Sequence, residues 1–142
     1  QTANPDVPMN LQVGDKAARS LRVTADMVEQ YAQISGDRNP LHFDEAFAAG
    51  TAFGRLVAQG GITTGLLHAL VAMDMPGPGT VFLNQNFQFT APVFIGDQIT
   101  VEATVTKVHS SKPVTHLDVV ISREDGETVL EGTAVCYTFT TL

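Results

Sequence analysis

At 142 residues and 15.1 kDa the chain is long enough for one domain with a real core and too short for two, so residues 1–142 are read as a single domain. A composition of 44% apolar and 16% charged residues is that of a folded globular protein. The formal charge of −7 argues against nucleic-acid binding, where a basic face would supply most of the affinity. An anionic ligand would need a local basic patch against that overall field. Cys136, the single cysteine, rules out an intrachain disulfide; within Ala134-Val135-Cys136-Tyr137 it reads as a small buried apolar residue, compatible with a reducing cytoplasm.

Residues 1–10, with Asn4, Pro5 and Pro8, read as a loose N-terminal arm, and residues 17–23 as a short strand. Thr24 offers an N-cap to a helix over Ala25–Ser35, with Asp26 and Glu29 near its positive end and Met27, Tyr31 and Ile34 as its apolar stripe. Gly36 stops it. The run that follows, Ser35-Gly36-Asp37-Arg38-Asn39-Pro40-Leu41-His42-Phe43-Asp44, is the most informative in the chain. It sets a carboxylate and an imidazole five residues apart around an Asn-Pro turn, so that Asp37 and His42 can face one another. These are the side chains best suited to hold and activate water near neutral pH. Taken alone, the same residues also fit an Asx-type turn with a solvated histidine. Asp44 reads as the cap of a short helix over Glu45–Ala49.

Residues 60–75 carry no charge before Asp74 and are apolar all round, which predicts a helix buried on most sides and too short to span a bilayer. Gly61, Gly65 and Ala69 give it a small face for close packing, and Pro76-Gly77-Pro78-Gly79 ends it. Everything after Thr80 reads as strand. Residues 80–90 come first, then a bend over 92–96. Residues 98–109 alternate Ile99, Val101, Ala103 and Val105 against polar neighbours. Turns at 110–113 and at Asp125-Gly126 separate a strand with Leu117, Val119 and Ile121 from a last one over 128–140. One-sided alternation predicts an antiparallel sheet with one wet face, and the 60–75 helix is the only apolar element long enough to cover the other. That arrangement is the α+β hotdog fold. His42, His68, His109 and His116 show no metal-ligand spacing, and Gly60-Gly61 lacks the companions of a nucleotide-binding loop.

From about residue 13 to 139 the chain resembles the MaoC-like dehydratase family, in particular the small (R)-specific enoyl-CoA hydratases. The resemblance is carried by residues 31–44 with their Asp-x-Asn-Pro-x-His core, by Ala48, Phe53 and the Gly60 turn, and by residues 75–79 and 92–97. It implies hydration of a trans-2-enoyl thioester to a (3R)-hydroxyacyl-CoA. Asp37 and His42 would share one water, with either as base, and the Gly60 N–H would stabilise the enolate oxygen. Asn39, Arg55, Phe47, Phe53, Gln59 and Leu66 are placed around the substrate, while Pro40, Thr64 and His68 support the site. Leu83, Phe87 and Phe89 read as either tunnel walls or plain core, with core preferred. Coenzyme A would enter as part of the substrate, with no other cofactor and no metal. Its phosphates would be met by a cation among Arg38, Arg55, Lys107, Lys112 and Arg123, of which Arg55 lies beside the site.

The resemblance also implies a homodimer with a sheet continuous across two chains, and no nucleic-acid or membrane partner. Two departures stand out. Gln59 replaces a common histidine before Gly60, and His68 stands where some relatives carry a serine that supports the carboxylate, with Thr64 one turn earlier as an alternative. His68 is either a hydrogen-bond partner of Asp37 or a satisfied core histidine. A thioesterase on the same fold and a non-catalytic acyl-CoA-binding homologue are the other readings.

Overall fold

The computed structural model describes residues 10–140; apart from Asn10, the N-terminal arm lies outside the described residues. Five strands, β1 (Lys16–Arg22), β2 (Thr80–Phe89), β3 (Gln98–Val108), β4 (Val114–Arg123) and β5 (Thr128–Thr138), form one antiparallel sheet in the order β1-β3-β4-β5-β2. Between β1 and β2 run four helices: α1 (Ala25–Ser35), α2 (Pro40–Phe43), α3 (Glu45–Ala49) and α4 (Gly60–Met73). The sheet curls around α4, which is the hotdog arrangement.

The inner face of the sheet follows from the period-2 pattern and its register. Val101 pairs with Ile121, Ala103 with Val119 and Val105 with Leu117, and all six are buried. Leu130 and Ala134 of β5 continue this layer opposite Ile121 and Leu117. Against it α4 packs Ile62, Leu66, Leu67, Leu70 and Val71. Each fully buried leucine or isoleucine contributes about 1.5–3 kcal/mol of transfer free energy. Burial of α4 is one-sided, because Gly65, His68 and Met73 on its other face are exposed. The helix also ends at Met73, two residues before the expected end, when the chain turns into Pro76-Gly77.

On α1 the cap is as expected: the Thr24 hydroxyl accepts from the Met27 N–H, and Gly36 takes the left-handed conformation (φ 81°) that ends the helix and turns the chain towards Asp37. Its buried face is different. Val28 and Ala32 are the closed positions, Met27 and Tyr31 pack beside them, and Ile34 is 85% exposed. The stripe therefore sits one residue round from the expected one, because α1 faces α4 through its small residues. A Cβ at Gly61 of α4 would overlap the Tyr31 hydroxyl and ring. Gly61→Ala is accordingly expected to destabilise the fold by about 1–3 kcal/mol through overpacking. A denaturant titration measures this, and Tyr31→Ala should relieve most of the loss.

Residues 37–44 are not a plain loop. Asn39 caps α2, its side-chain oxygen accepting from the Leu41 N–H at 3.0 Å, with Pro40 in the first helical position. Asp44 then caps α3 by accepting from the Phe47 N–H at 3.0 Å. Among the described residues no helix is long and apolar enough to cross a membrane, and no group of three or more His, Cys, Asp or Glu could hold a metal. Burial raises the Cys136 thiol to about 12, which leaves it unreactive at neutral pH.

Candidate active site

The α2 turn buries His42, whose residue is 8% exposed, and hands its ring to two partners on opposite sides. Nδ1 lies 2.7 Å from the Val57 carbonyl oxygen. A carbonyl only accepts, so Nδ1 carries a hydrogen, and in the neutral form of the ring Nε2 presents a lone pair. Nε2 faces Asp37 Oδ1 at 3.4 Å. Two acceptors at this separation are reconciled by a proton between them or by a water beside the pair that donates to both. Val57 is itself held firmly: its N–H donates to the Leu41 carbonyl, it bridges Phe94, and the next N–H, of Ala58, donates to Val93.

Asp37 is fixed from its own side of the turn. Its Oδ1 accepts from the Asn39 N–H at 3.2 Å, and its N–H donates to the Ser35 hydroxyl, which in turn donates to the Tyr31 carbonyl. The carboxylate side chain is 41% exposed against 9% for the imidazole, so the pair has a closed face and an open one. Arg38 turns away to pair with Glu29 at 2.7 Å and holds that carboxyl below its ordinary pKa through hydrogen bonding and charge.

Beside this pair is the N-terminus of α4. Its first two N–H groups, of Gly60 and Gly61, donate to no described residue, whereas the Ile62 N–H already pairs with the Gln59 carbonyl at 3.1 Å. The free donors and the helix dipole both favour a developing negative charge there. Gly60 lines a pocket of about 360 Å³ with Phe53, Val57, Ala58, Thr63, Phe89, Thr90, Ala91, Pro92, Val93 and Val129. Val57 thus has two roles, forming a wall of the pocket and holding the imidazole behind it. A Cβ on Gly60 would come 3.1 Å from the edge of the Phe89 ring.

The other sequence candidates fall as follows. Asn39 and Pro40 build the turn. Phe53 lines the pocket, but Phe47 is half-exposed on α3 and Leu66 is buried in the core, neither against the pocket. Phe89 and Leu83 are each 59% exposed rather than core; Phe89 lines the pocket, and Phe87 packs partly buried against the core. Gln59 is 1% exposed and donates its amide to the Val28 carbonyl at 3.0 Å and, more loosely, to the Asp37 carbonyl at 3.5 Å. It ties α1 and the Asp37 turn to α4, while its Oε1 is sealed without a partner. Thr64 turns its hydroxyl back onto the Gly60 and Gly61 carbonyls.

His68 is neither a partner of Asp37 nor a core residue. It is only partly covered on α4, lies tilted against Phe82 with centroids 4.6 Å apart, and its Nε2 lies 3.0 Å from the Gln85 amide nitrogen. Burial lowers its pKa, so at neutral pH it is the uncharged acceptor that this amide requires. Arg55 stacks 3.9 Å over the Phe94 ring and makes no ion pair among the described residues, whereas Arg123 pairs with Asp125 at 3.0 Å. Sequence reasoning missed Val57 and Ser35, which act through a carbonyl and a hydroxyl that no pattern announces, and Thr63, which had been absorbed into the apolar helix.

A carboxylate facing an imidazole, with a helix N-terminus nearby, is an arrangement that can transfer protons next to a developing negative charge. The MaoC like domain model matches residues 10–126, and the chain belongs to that family. An (R)-specific enoyl-CoA hydratase of Aeromonas caviae is 40% identical over 89% of this chain and 94% of its own length. A 3-hydroxybutyryl-CoA dehydratase of Methylorubrum extorquens is 38% identical over 89% and 80%. Among solved structures, the A. caviae (R)-hydratase superposes with a TM-score of 0.87 at 40% identity, covering 91% of this chain and 98% of its own. An R-hydratase of Pseudomonas aeruginosa in unliganded form gives 0.85 at 34% identity, covering 94% and 86%.

Proposed function

We propose that the protein is an (R)-specific enoyl-CoA hydratase, a hydro-lyase that adds water across a trans-2-enoyl thioester. The observation that carries this reading is the 3.4 Å approach of Asp37 Oδ1 to His42 Nε2, with the opposite ring nitrogen held by the Val57 carbonyl. A water held beside the pair donates one hydrogen to each acceptor and keeps an oxygen lone pair for C3. As the C3–O bond forms, one of the pair takes the proton. The electrons of the double bond move to the thioester oxygen, where the Gly60 N–H meets the negative charge, and a proton returned to C2 completes the addition. With His42 bonded to the Val57 carbonyl at the pocket wall, the pair is assigned to one side of the substrate, so addition is to one face. Incubation with crotonyl-CoA followed by chiral analysis of the 3-hydroxybutyryl product tests this: the reading requires the (3R) product, and a (3S) product or release of free coenzyme A contradicts it.

Coenzyme A enters this account as part of the substrate, with no separate cofactor. The support for Arg55 as a phosphate contact is its exposed guanidinium, unpaired and pre-stacked on Phe94 beside the pocket wall. Arg55→Ala is expected to raise KM for a coenzyme A thioester about 3–10-fold with kcat little changed. The same variant should leave the N-acetylcysteamine thioester, which lacks the phosphates, unaffected.

A homodimer is part of the proposal. Edge strand β1 carries Lys16, Arg19 and Arg22 in seven residues, whereas β2 at the other edge has ten residues and no charge. Uncharged edges are the ones that accept another strand, so β2 is assigned to pairing with its counterpart in a second copy. Sedimentation equilibrium should therefore give twice the chain mass. The buried free Cys136 supports a cytoplasmic setting.

A further inference from the structure

Two threonines line the pocket beside the α4 N-terminus, and they are not alike. Thr90 donates its hydroxyl to the Thr128 carbonyl at 2.8 Å. Thr63 is 2% exposed, yet its hydroxyl makes no hydrogen bond to any described residue. Thr64, its neighbour, folds its hydroxyl back onto the carbonyls of the preceding turn, as helix threonines commonly do, and Thr63 does not. Gln59 Oε1 and Thr115 Oγ1 are sealed in protein without a partner, but the Thr63 oxygen is not sealed in the same way. A hydroxyl so deeply placed, unpartnered and at the wall of an otherwise largely apolar pocket is a group waiting for a polar atom of the ligand.

Its position says which part of the ligand. Gly60 and Thr63 are three residues apart and share one helix face, separated by roughly 4.5 Å along the axis. On the hydratase reading above, on which this inference rests, the thioester oxygen lies on the Gly60 N–H. The acyl chain then passes Thr63 a few carbon–carbon bonds later. We propose that Thr63 is a specificity residue that hydrogen-bonds an oxygen carried by the acyl chain, so that the preferred substrate is an enoyl thioester with a hydroxyl or oxo substituent near C5 rather than a plain alkyl tail. A pocket built to bond such an oxygen disfavours the analogue that lacks it, because the threonine is then left dry and unpaired.

The test compares kcat/KM for 5-hydroxy-2-hexenoyl-CoA and 2-hexenoyl-CoA, which have the same chain length. The wild-type chain is expected to prefer the hydroxylated substrate by on the order of 10-fold. Thr63→Val, which swaps the hydroxyl for a methyl of nearly equal volume, is expected to bring that ratio to about one, and Thr63→Ser to restore it. A wild-type ratio near one, or a ratio that Thr63→Val leaves intact, overturns the inference. The second result includes the case in which both rates fall alike because the hydroxyl serves the coenzyme A arm. Crotonyl-CoA run alongside separates the two levels. Hydration of crotonyl-CoA with an unaltered ratio defeats the assignment of Thr63 alone, whereas no hydration of any of the three thioesters defeats the hydratase reading and the assignment with it.

Discussion

Asp37→Asn is expected to lower kcat for hydration by about 10²–10⁴-fold while leaving the fold intact. The substitution is nearly isosteric, and the Asn oxygen can still accept from the Asn39 N–H, so the turn keeps its geometry. What is lost is a proton acceptor opposite His42. The amide oxygen at that position can still hydrogen-bond a water beside His42, but it no longer takes up the water's proton. His42→Ala should cost activity on the same scale, with an added penalty in stability. It removes the hydrogen bond to the Val57 carbonyl and opens a cavity behind the pocket wall, at about 1–3 kcal/mol for the unpaired group. On the proposed mechanism both residues act on one water, so the double variant should be little worse than either single one. Rates that multiply instead would show that the two groups work on separate steps.

Gly60→Pro is expected to reduce kcat by about 10²–10³-fold, the usual cost of losing one oxyanion donor. Most glycine substitutions confuse a lost donor with lost space; this one separates them. Gly60 is the first residue of α4, where proline is tolerated because its missing N–H has no helical partner. Gln59 before it has φ −65° and ψ 140°, the extended geometry that a following proline demands. The helix should therefore form and only the donor disappear. Gly60→Ala is the control: it keeps the N–H and sets a Cβ 3.1 Å from the rim of Phe89, a half-exposed ring able to move. A modest loss for alanine against a large one for proline identifies the N–H as the working group. Equal losses would place the effect in pocket shape.

Much of this architecture is legible in the sequence because it rests on local rules. Thr24 and Gly36 bracket α1 at the expected residues, and Asp44 caps α3, because caps depend on near neighbours in the chain. The alternation in β3 and β4 assigns their inner faces correctly, since period 2 admits a single inward set once one side is apolar. Errors arise where tertiary packing decides. Ile34 has the right spacing for a stripe but extends past the contact between α1 and α4, where the approach is set by Gly61 against Tyr31. Residues 60–75 are apolar all round, yet α4 is covered on one side by the sheet and leaves Gly65, His68 and Met73 open. His68 could not be placed from sequence, because its partner Gln85 comes from a strand 17 residues away.

The site divides in the same way. Asp37 and His42 are readable as a pair because five residues and an Asn-Pro turn limit where they can go. The group that assigns the imidazole tautomer is the Val57 carbonyl, 15 residues further on, and every residue has a carbonyl. Gln59 lies in the right place but faces inward, tying α1 to α4 rather than meeting substrate.

The central claim is most directly tested by following the enoyl-thioester absorbance of crotonyl-CoA with free thiol measured in parallel. Hydration predicts rapid loss of the band with no thiol released, and no comparable loss with Asp37→Asn. Loss accompanied by stoichiometric thiol would make the protein a thioesterase, and an unchanged band with crotonyl-CoA and with longer enoyl groups would contradict the account altogether.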